Sequence, residues 1–358
     1  MRKKIVGMLT TATLLTMALA GNVQAAEIRS VGPDGEAAVD ASTIELTDDQ
    51  IAQIKEGGYT AAICLHYGGN DWSTSQQKGL EDTFGELGIE IVAVTDANFS
   101  AETQVSNIET VMAKKPDILV SIPTDATATA DAYKQAAAAG IKIVFMDQRA
   151  NGLEAGKDYV SVVSADNYGN GYASGTVLGD ALGGKGKVAM VYYDANFAPT
   201  NQRDEGFRDA MKNYPDIEIV TEQGFTDESG CAEQGDAILT QFPNIDGIYA
   251  SWDVPMEGVL SAVRAAGMEG KVTLACNDLG NNVAREIASG NIAGGGAQMP
   301  YDQGVTEAKL AALALLGEET PSYVAVPAET VTHENVLEAY TDVYHVETPD
   351  WLKEAYVE

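Results

Sequence analysis

The chain has 358 residues, 45% hydrophobic and 21% charged, which is enough to bury two cores and unlike a disordered, collagenous or small disulfide-stapled protein. Asp and Glu outnumber Lys and Arg by 53 to 22, a formal charge of −31, so nucleic acid and anionic membrane surfaces are poor partners. The acids are spread along the sequence, as in a solvated surface rather than an acidic tail.

Residues 1–26 read as a secretory leader: Arg2-Lys3-Lys4, an apolar stretch from Ile5 to Ala20, then small residues ending Val23-Gln24-Ala25-Ala26. The apolar stretch is shorter than the about 20 residues a membrane-spanning helix needs. Leu19-Ala20-Gly21 opens like a lipoprotein box, but Asn22 stands where a lipid-accepting thiol belongs. The expectation is an exported, periplasmic protein, soluble after cleavage and without a lipid anchor.

Residues 27–58 form an N-terminal extension, loose over 27–45 and then helical. Thr47 and Gln50 have capping-box spacing, Leu46 and Ile51 are placed as a hydrophobic staple, and Gly57-Gly58 supplies the stop.

From Tyr59 the sequence alternates short β-branched runs with amphipathic stretches. Strands are predicted over 59–67, 89–95, 117–122, 141–146, 159–164, 187–192, 217–221, 247–250, 272–275 and 292–297, with helices such as 73–87, 101–115 and 126–139 between them. The strands are nearly continuously apolar, which fits parallel sheets covered on both faces. Ten βα units exceed one comfortable open sheet and also an eight-fold barrel, so the economical packing is α/β with two doubly wound domains. The break falls near Ala165-Asp166-Asn167, and 300–317 reads as a long Ala/Leu-rich helix.

Two glycine-rich segments invite nucleotide readings and fail them. The run from Gly179 to Gly186 has phosphate-loop spacing, but Gly186 replaces the magnesium-holding hydroxyl and the run follows a helix. The run from Gly169 to Gly175 is one residue off the dinucleotide fingerprint and has no fitting acid downstream. Cys64, Cys231 and Cys276 permit at most one disulfide and read as small buried hydrophobes. With His66, His333 and His345 as the only histidines, neither a metal site nor a cofactor is expected.

Open parallel sheets bind ligands beyond the carboxyl ends of their strands. At those places the sequence has Asn70-Asp71-Trp72, Asp147-Gln148-Arg149, Trp252-Asp253, Asp278 and Gln298, and Arg203 lies at a helix start after another strand. Each hydroxyl of a polyol is both donor and acceptor: Asp accepts, Arg donates, Asn and Gln do both, and indole rings cover C–H faces. The chemistry is therefore that of a small neutral sugar or polyol.

The sequence resembles the periplasmic solute-binding proteins of the ribose and galactose type, receptors of bacterial ABC sugar importers, from about Tyr59 to Pro327. The resemblance rests on Asn70-Asp71-Trp72 with Gly79, Ile122-Pro123-Thr124-Asp125, Asp147-Gln148, Ala165-Asp166-Asn167, Arg203 to Phe207, Trp252-Asp253, Asn277-Asp278 and Gln298-Met299-Pro300. It implies the periplasmic binding protein type I fold, two Rossmann-like lobes joined by a three-stranded hinge, with residues 59–165 plus 299–327 in one lobe and 166–298 plus 328–358 in the other. It further implies that Asn70 and Asp147 bind hydroxyls, that Trp72 stacks on the ring, that Phe225 is a second stacking position, and that Arg203, Asp278 and Gln298 contribute from the second lobe or the hinge.

Ribose binders carry an amide, an Arg and an Asn where Ile122, Gln148 and Trp252 stand here, so an aldohexose, a different pentose or a sugar alcohol is favoured, with Arg149 a replacement charge. The expected partners are an ABC permease and a chemoreceptor, the expected state a monomer, and no enzyme activity is expected. The alternatives are a receptor for a furanose-like signal of the autoinducer type and an exported carbohydrate-active enzyme using a pair such as Asp147 and Asp278.

Overall fold

The computed structural model describes residues 28–357, so the leader predicted over 1–26 lies outside the described residues. Helix α1 (Asp48–Gly57) begins where its chemistry requires. The Thr47 side chain accepts from the Gln50 amide, Gln50 Oε1 accepts from the Thr47 N–H at 2.9 Å, and Gly58 ends the helix at φ 62°.

The first lobe is built on a seven-stranded, wholly parallel sheet. Its early strands are β1 (Val39–Asp40), β2 (Thr60–Leu65), β3 (Glu90–Asp96), β4 (Ile118–Ser121), β5 (Lys142–Met146) and β6 (Ser161–Ala165). Helices α2 (Asp71–Leu87), α3 (Ala101–Ala113) and α4 (Ala130–Ala138) alternate with them. Side chains such as Ile63 and Val144 enter the core on one face, and Cys64 and Phe145 the core on the other, so both faces are covered.

The chain then crosses to the second lobe at residues 165–167. There β7 (Lys185–Tyr193), β8 (Asp216–Phe225), β9 (Gly247–Ala250), β10 (Thr273–Cys276) and β11 (Gly294–Ala297) alternate with α5 (Asn167–Ala181), α6 (Ala198–Met211), α7 (Cys231–Gln241), α8 (Asp253–Ala265) and α9 (Asn281–Ala288). Helix α10 (Pro300–Leu315) returns to pack along α2, and β12 (Tyr323–Val326) pairs with β6 and β1. Strand β13 (Glu329–Thr332) then adds antiparallel to β11, and α11 (Val336–Tyr344) and α12 (Asp350–Ala355) finish on the second lobe. The chain thus passes between the sheets at 165–167, 297–300 and 326–329.

The sheet orders are β1-β12-β6-β5-β4-β2-β3 and β13-β11-β10-β9-β7-β8. In each, the first long strand is flanked by the second on one side and the third on the other, the doubly wound order whose switch point opens a crevice at the strand carboxyl ends. In the first lobe the loops after β2 and β4 reach that crevice, and in the second those after β7 and β9.

Both glycine-rich segments prove structural. The run ending at Gly186 stops α5 and turns into β7. Within α5, a Cβ at Gly171 would lie 1.8 Å from the carbonyl oxygen of Arg203, so glycine there lets α5 and α6 cross closely and fixes where Arg203 starts. The cysteines are buried free thiols.

One expectation is overturned. Residues 28–40, predicted loose, are docked across the hinge edge. The backbone N–H groups of Arg29 and Ser30 and the Ser30 hydroxyl donate to Asp166, Arg29 lies 4.2 Å over the Tyr172 ring, and β1 extends the first sheet. The cause is a buried carboxylate at the start of α5 that needs donors, together with an open sheet edge at β12. Neither is visible before the chain is folded.

Candidate functional site

Between the lobes lies a cavity lined by residues of both. Its charged centre is Arg203, buried in the first turns of α6. One guanidinium nitrogen donates to Asp278 Oδ2 at 3.1 Å and to the Ser251 carbonyl at 3.2 Å, and Nε donates to Asn167 Oδ1 at 2.8 Å. Gln298 Nε2 donates to the other Asp278 oxygen at 2.8 Å, while Gln298 Oε1 is buried without a protein partner.

Asp147 faces this group from the first lobe. It accepts from Ser164 Oγ at 2.7 Å, and burial pushes its carboxyl up to about 6 from the ordinary 3.8. Burial and the negative charge of Asp278 hold the neighbouring Asp253 well above the carboxylate range. Acceptors held this far from water gain more from a ligand hydroxyl than exposed ones do.

Around the charges runs a wall of rings. Trp72 meets His66 edge-on at 5.9 Å, Phe197 from the second lobe stacks on His66 at 5.9 Å, and Trp252 meets Tyr193 edge-on at 5.6 Å. Burial pushes His66 down to about 3, so its imidazole is neutral. His66 Nδ1 and Trp72 Nε1 are buried donors or acceptors without a protein partner.

Seven of the eleven residues singled out in the sequence line the cavity: Asn70, Trp72, Asp147, Arg203, Trp252, Asp278 and Gln298. Asn70 also caps α2, its Oδ1 accepting from the Ser73 N–H, and its amide donates to the Tyr67 hydroxyl at 2.7 Å. Trp252 Nε1 is committed to Glu228 at 2.8 Å.

The remaining four lie elsewhere. Phe225 packs behind Trp252 and Tyr193 and does not reach the cavity lining, because it ends β8 one strand outside the switch point. Gln148 donates to the Pro123 carbonyl at 2.9 Å and accepts from Ala198 N–H at 3.4 Å, bridging the lobes beside the site. Asp71 accepts from the backbone and side chain of Asn281 across the lobes, at 2.7 and 2.8 Å. Arg149 leaves the strand end in the other direction and makes a bidentate pair with Asp34 at 2.6 and 2.8 Å, so it supplies no charge to the cavity.

The cavity also holds residues that sequence reading missed as liners: His66, Tyr67, Phe99, Thr124, Tyr193, Phe197 and Thr200. Their one signal is position, since His66-Tyr67 and Phe197 follow the first long strand of a lobe, Tyr193 ends one, and Thr124 follows β4. Among the described residues no cluster of three His, Cys, Asp or Glu could hold a metal ion.

Two doubly wound lobes enclosing one polar and aromatic cleft at their switch points define a hinged solute receptor. Similarity to known proteins agrees. The periplasmic binding protein domain model matches residues 61–319, and the chain belongs to that family. It is 29% identical over 273 residues to the D-ribose/D-allose-binding protein of Pseudomonas aeruginosa, covering 73% of this chain and 83% of that one. Among solved structures, an ABC transporter periplasmic solute-binding protein of Actinobacillus succinogenes with bound D-allose matches with TM-score 0.71 and 28% identity, over 78% of this chain and 99% of the other. One from Agrobacterium vitis bound with α-D-tagatopyranose matches with TM-score 0.74 and 25% identity, over 82% and 100%.

Proposed function

We propose that this chain is an extracytoplasmic receptor that captures one monosaccharide or related polyol between its lobes and delivers it to an ABC permease. The observation that carries the reading is the convergence of Asn70, Asp147, Arg203, Asp278 and Gln298, drawn from both lobes, on one ring-walled cavity. Relatives named for ribose and allose, and solved structures holding D-allose and tagatopyranose, support the same substrate class.

The cycle follows from the geometry. Asp147 and the free Gln298 oxygen accept from ligand hydroxyls, Arg203 donates, and Trp72 covers a C–H face. Bringing the lobes together excludes water and strengthens those bonds, and a permease that binds only the closed form selects loaded receptor. Micromolar affinity corresponds to about −8 kcal/mol, within reach of a few charge-assisted bonds and stacked rings. No covalent step is required of any side chain. The proposed setting is periplasmic and the proposed state monomeric.

A thermal-shift screen of the purified protein over pentoses, hexoses and sugar alcohols tests the reading, because a ligand that binds only the folded state raises the melting temperature by mass action. A saturable shift with a subset of these compounds is expected. No shift with any of them, confirmed by calorimetry, overturns the proposal.

A further inference from the structure

Behind the cleft, three polar side chains are sealed where apolar ones would pack as well. Helices α2 and α10 cross with backbone almost against backbone: a Cβ at Gly304 would lie 2.2 Å from the Gln76 carbonyl oxygen, and one at Gly79 would lie 2.2 Å from that of Tyr301. Gln76 of α2 and Gln303 and Glu307 of α10 are fully buried at this crossing. Gln76 Nε2 donates to Glu307 Oε1 at 2.6 Å, and Gln303 Nε2 reaches Asp147 Oδ1 at 3.4 Å. Gln76 Oε1, Gln303 Oε1 and Glu307 Oε2 have no protein partner.

As a carboxylate, Glu307 would be buried with one neutral amide for a donor and would face the carboxylate of Asp147. Burial and that neighbour hold it well above the ordinary carboxylate range. As an acid it has one O–H to give. Gln303 lies four residues back, one turn along the same face of α10, and its side-chain oxygen is a buried acceptor without a partner. An O–H from Glu307 to Gln303 completes a chain that runs in one direction: Gln76 N–H to Glu307, Glu307 O–H to Gln303, Gln303 N–H to Asp147. In such a chain each bond polarises the next. Ser164 Oγ and Gln303 Nε2 both address Oδ1 of Asp147, which leaves the second carboxylate oxygen to the cleft that Asp147 lines.

We propose that Glu307 is a positioning residue for the ligand site: a neutral acid that never touches the sugar, donates to Gln303, and through it fixes the orientation of the Asp147 carboxylate that accepts a ligand hydroxyl. This rests on the sugar reading above, since Asp147 is the acceptor it serves. A leucine at 307 would fill the same seam without burying a carboxyl, so packing alone does not account for the residue.

The test is calorimetry of the purified chain with D-allose, D-ribose, D-xylose and myo-inositol, paired with infrared difference spectra of wild type against Glu307→Gln at pH 7. Glu307→Leu is expected to weaken binding about tenfold, and Glu307→Gln, whose amide both donates to Gln303 and accepts from Gln76, to restore most of that loss. In an Asp147→Asn background Glu307→Leu is expected to have little further effect, because its target is gone. The difference spectrum is expected to show a protonated carboxyl band that the Gln variant lacks. Where Leu at 307 prevents folding, Gln303→Leu cuts the chain one link nearer the cleft and is read in the same way. Unchanged affinity in the folded Leu variant, the same loss in the Asp147→Asn background, or no acid band each overturns the inference and leaves the sugar reading standing. Wild-type chain that binds none of the four probes or any other sugar or polyol overturns the sugar reading, and the positioning role with it.

Discussion

Asp147 and Asp278 occupy equivalent places in the two lobes. Each directly or nearly follows the fourth strand counted from the first long strand of its lobe, each has positive φ, 54° and 69°, and each donates its backbone N–H to a carbonyl of the next strand, Val163 at 2.7 Å and Gly296 at 2.8 Å. The two lobes thus present carboxylates to one cleft from the same strained position, so the cleft is a junction of two copies of one local solution.

That strain and burial have a cost that pH exposes. With its carboxyl raised to about 6 from 3.8, folded Asp147 holds its proton more tightly than the unfolded chain does, so its favourable contribution is complete below pH 4 and is lost as pH rises through about 6. The interval corresponds to about 3 kcal/mol. Asp147→Asn is therefore expected to raise the melting temperature of ligand-free protein at pH 7, to change it little below pH 4, and to weaken sugar binding by about tenfold to a hundredfold through loss of a charge-assisted acceptor. Thermal denaturation across pH 3.5–8, paired with calorimetry, checks all three; a lower melting temperature at pH 7 contradicts the assignment.

Arg203 is expected to behave in the opposite way. Its guanidinium satisfies Asp278, Asn167 and the Ser251 carbonyl at once, and both members of the ion pair are nearly inaccessible. Arg203→Ala leaves a buried carboxylate without its cation, a loss of about 3–5 kcal/mol. Adding Asp278→Asn is expected to recover a large part of the stability and none of the binding. Urea unfolding of the two single variants and the double variant gives the coupling directly, and simple additivity would deny it.

Much of the fold was legible because its signal is local. All ten strands that read as apolar runs are present, and the capping box at Thr47 and Gln50 forms as spacing predicts. The strands left unread, β1, β12 and β13, are two to four residues long and draw their pairing from distant edges. In the site, the charged residues could be read because they leave strand ends, where a doubly wound fold places ligands. Phe99, Tyr193 and Phe197 could not, since an aromatic residue in a loop or at a strand end looks like core until the other lobe faces it. Arg149 was misplaced for a related reason: its partner, Asp34, belongs to a segment that reads as a loose tail.

The Arg149–Asp34 pair joins the docked N-terminal segment to the first lobe, and Asp34 is well exposed. An exposed pair of this kind contributes about 0.2–1 kcal/mol. Arg149→Ala is accordingly expected to lower the melting temperature slightly, to make residues 28–40 easier to cleave in limited proteolysis, and to leave sugar affinity unchanged. Loss of affinity would return Arg149 to the site.

Asp71 is expected to act on closure without touching ligand. Its carboxylate accepts from the Asn281 backbone N–H and side-chain amide, and Asn281 Oδ1 in turn accepts from the Tyr340 hydroxyl at 2.5 Å, so the start of α2 is tied to the start of α9 in the second lobe. These bonds exist only when the lobes are together. Removing them raises the free energy of the closed form by about 1–3 kcal/mol, and a receptor that holds its ligand only while closed loses that amount from its affinity. Asp71→Ala should weaken binding about tenfold, with dissociation accelerated and association nearly unchanged, because the encounter precedes closure. Stopped-flow fluorescence from Trp72 and Trp252, both at the cavity wall, separates the two rates. A slower association with unaltered dissociation would place Asp71 in ligand capture instead of in the closed-state contact.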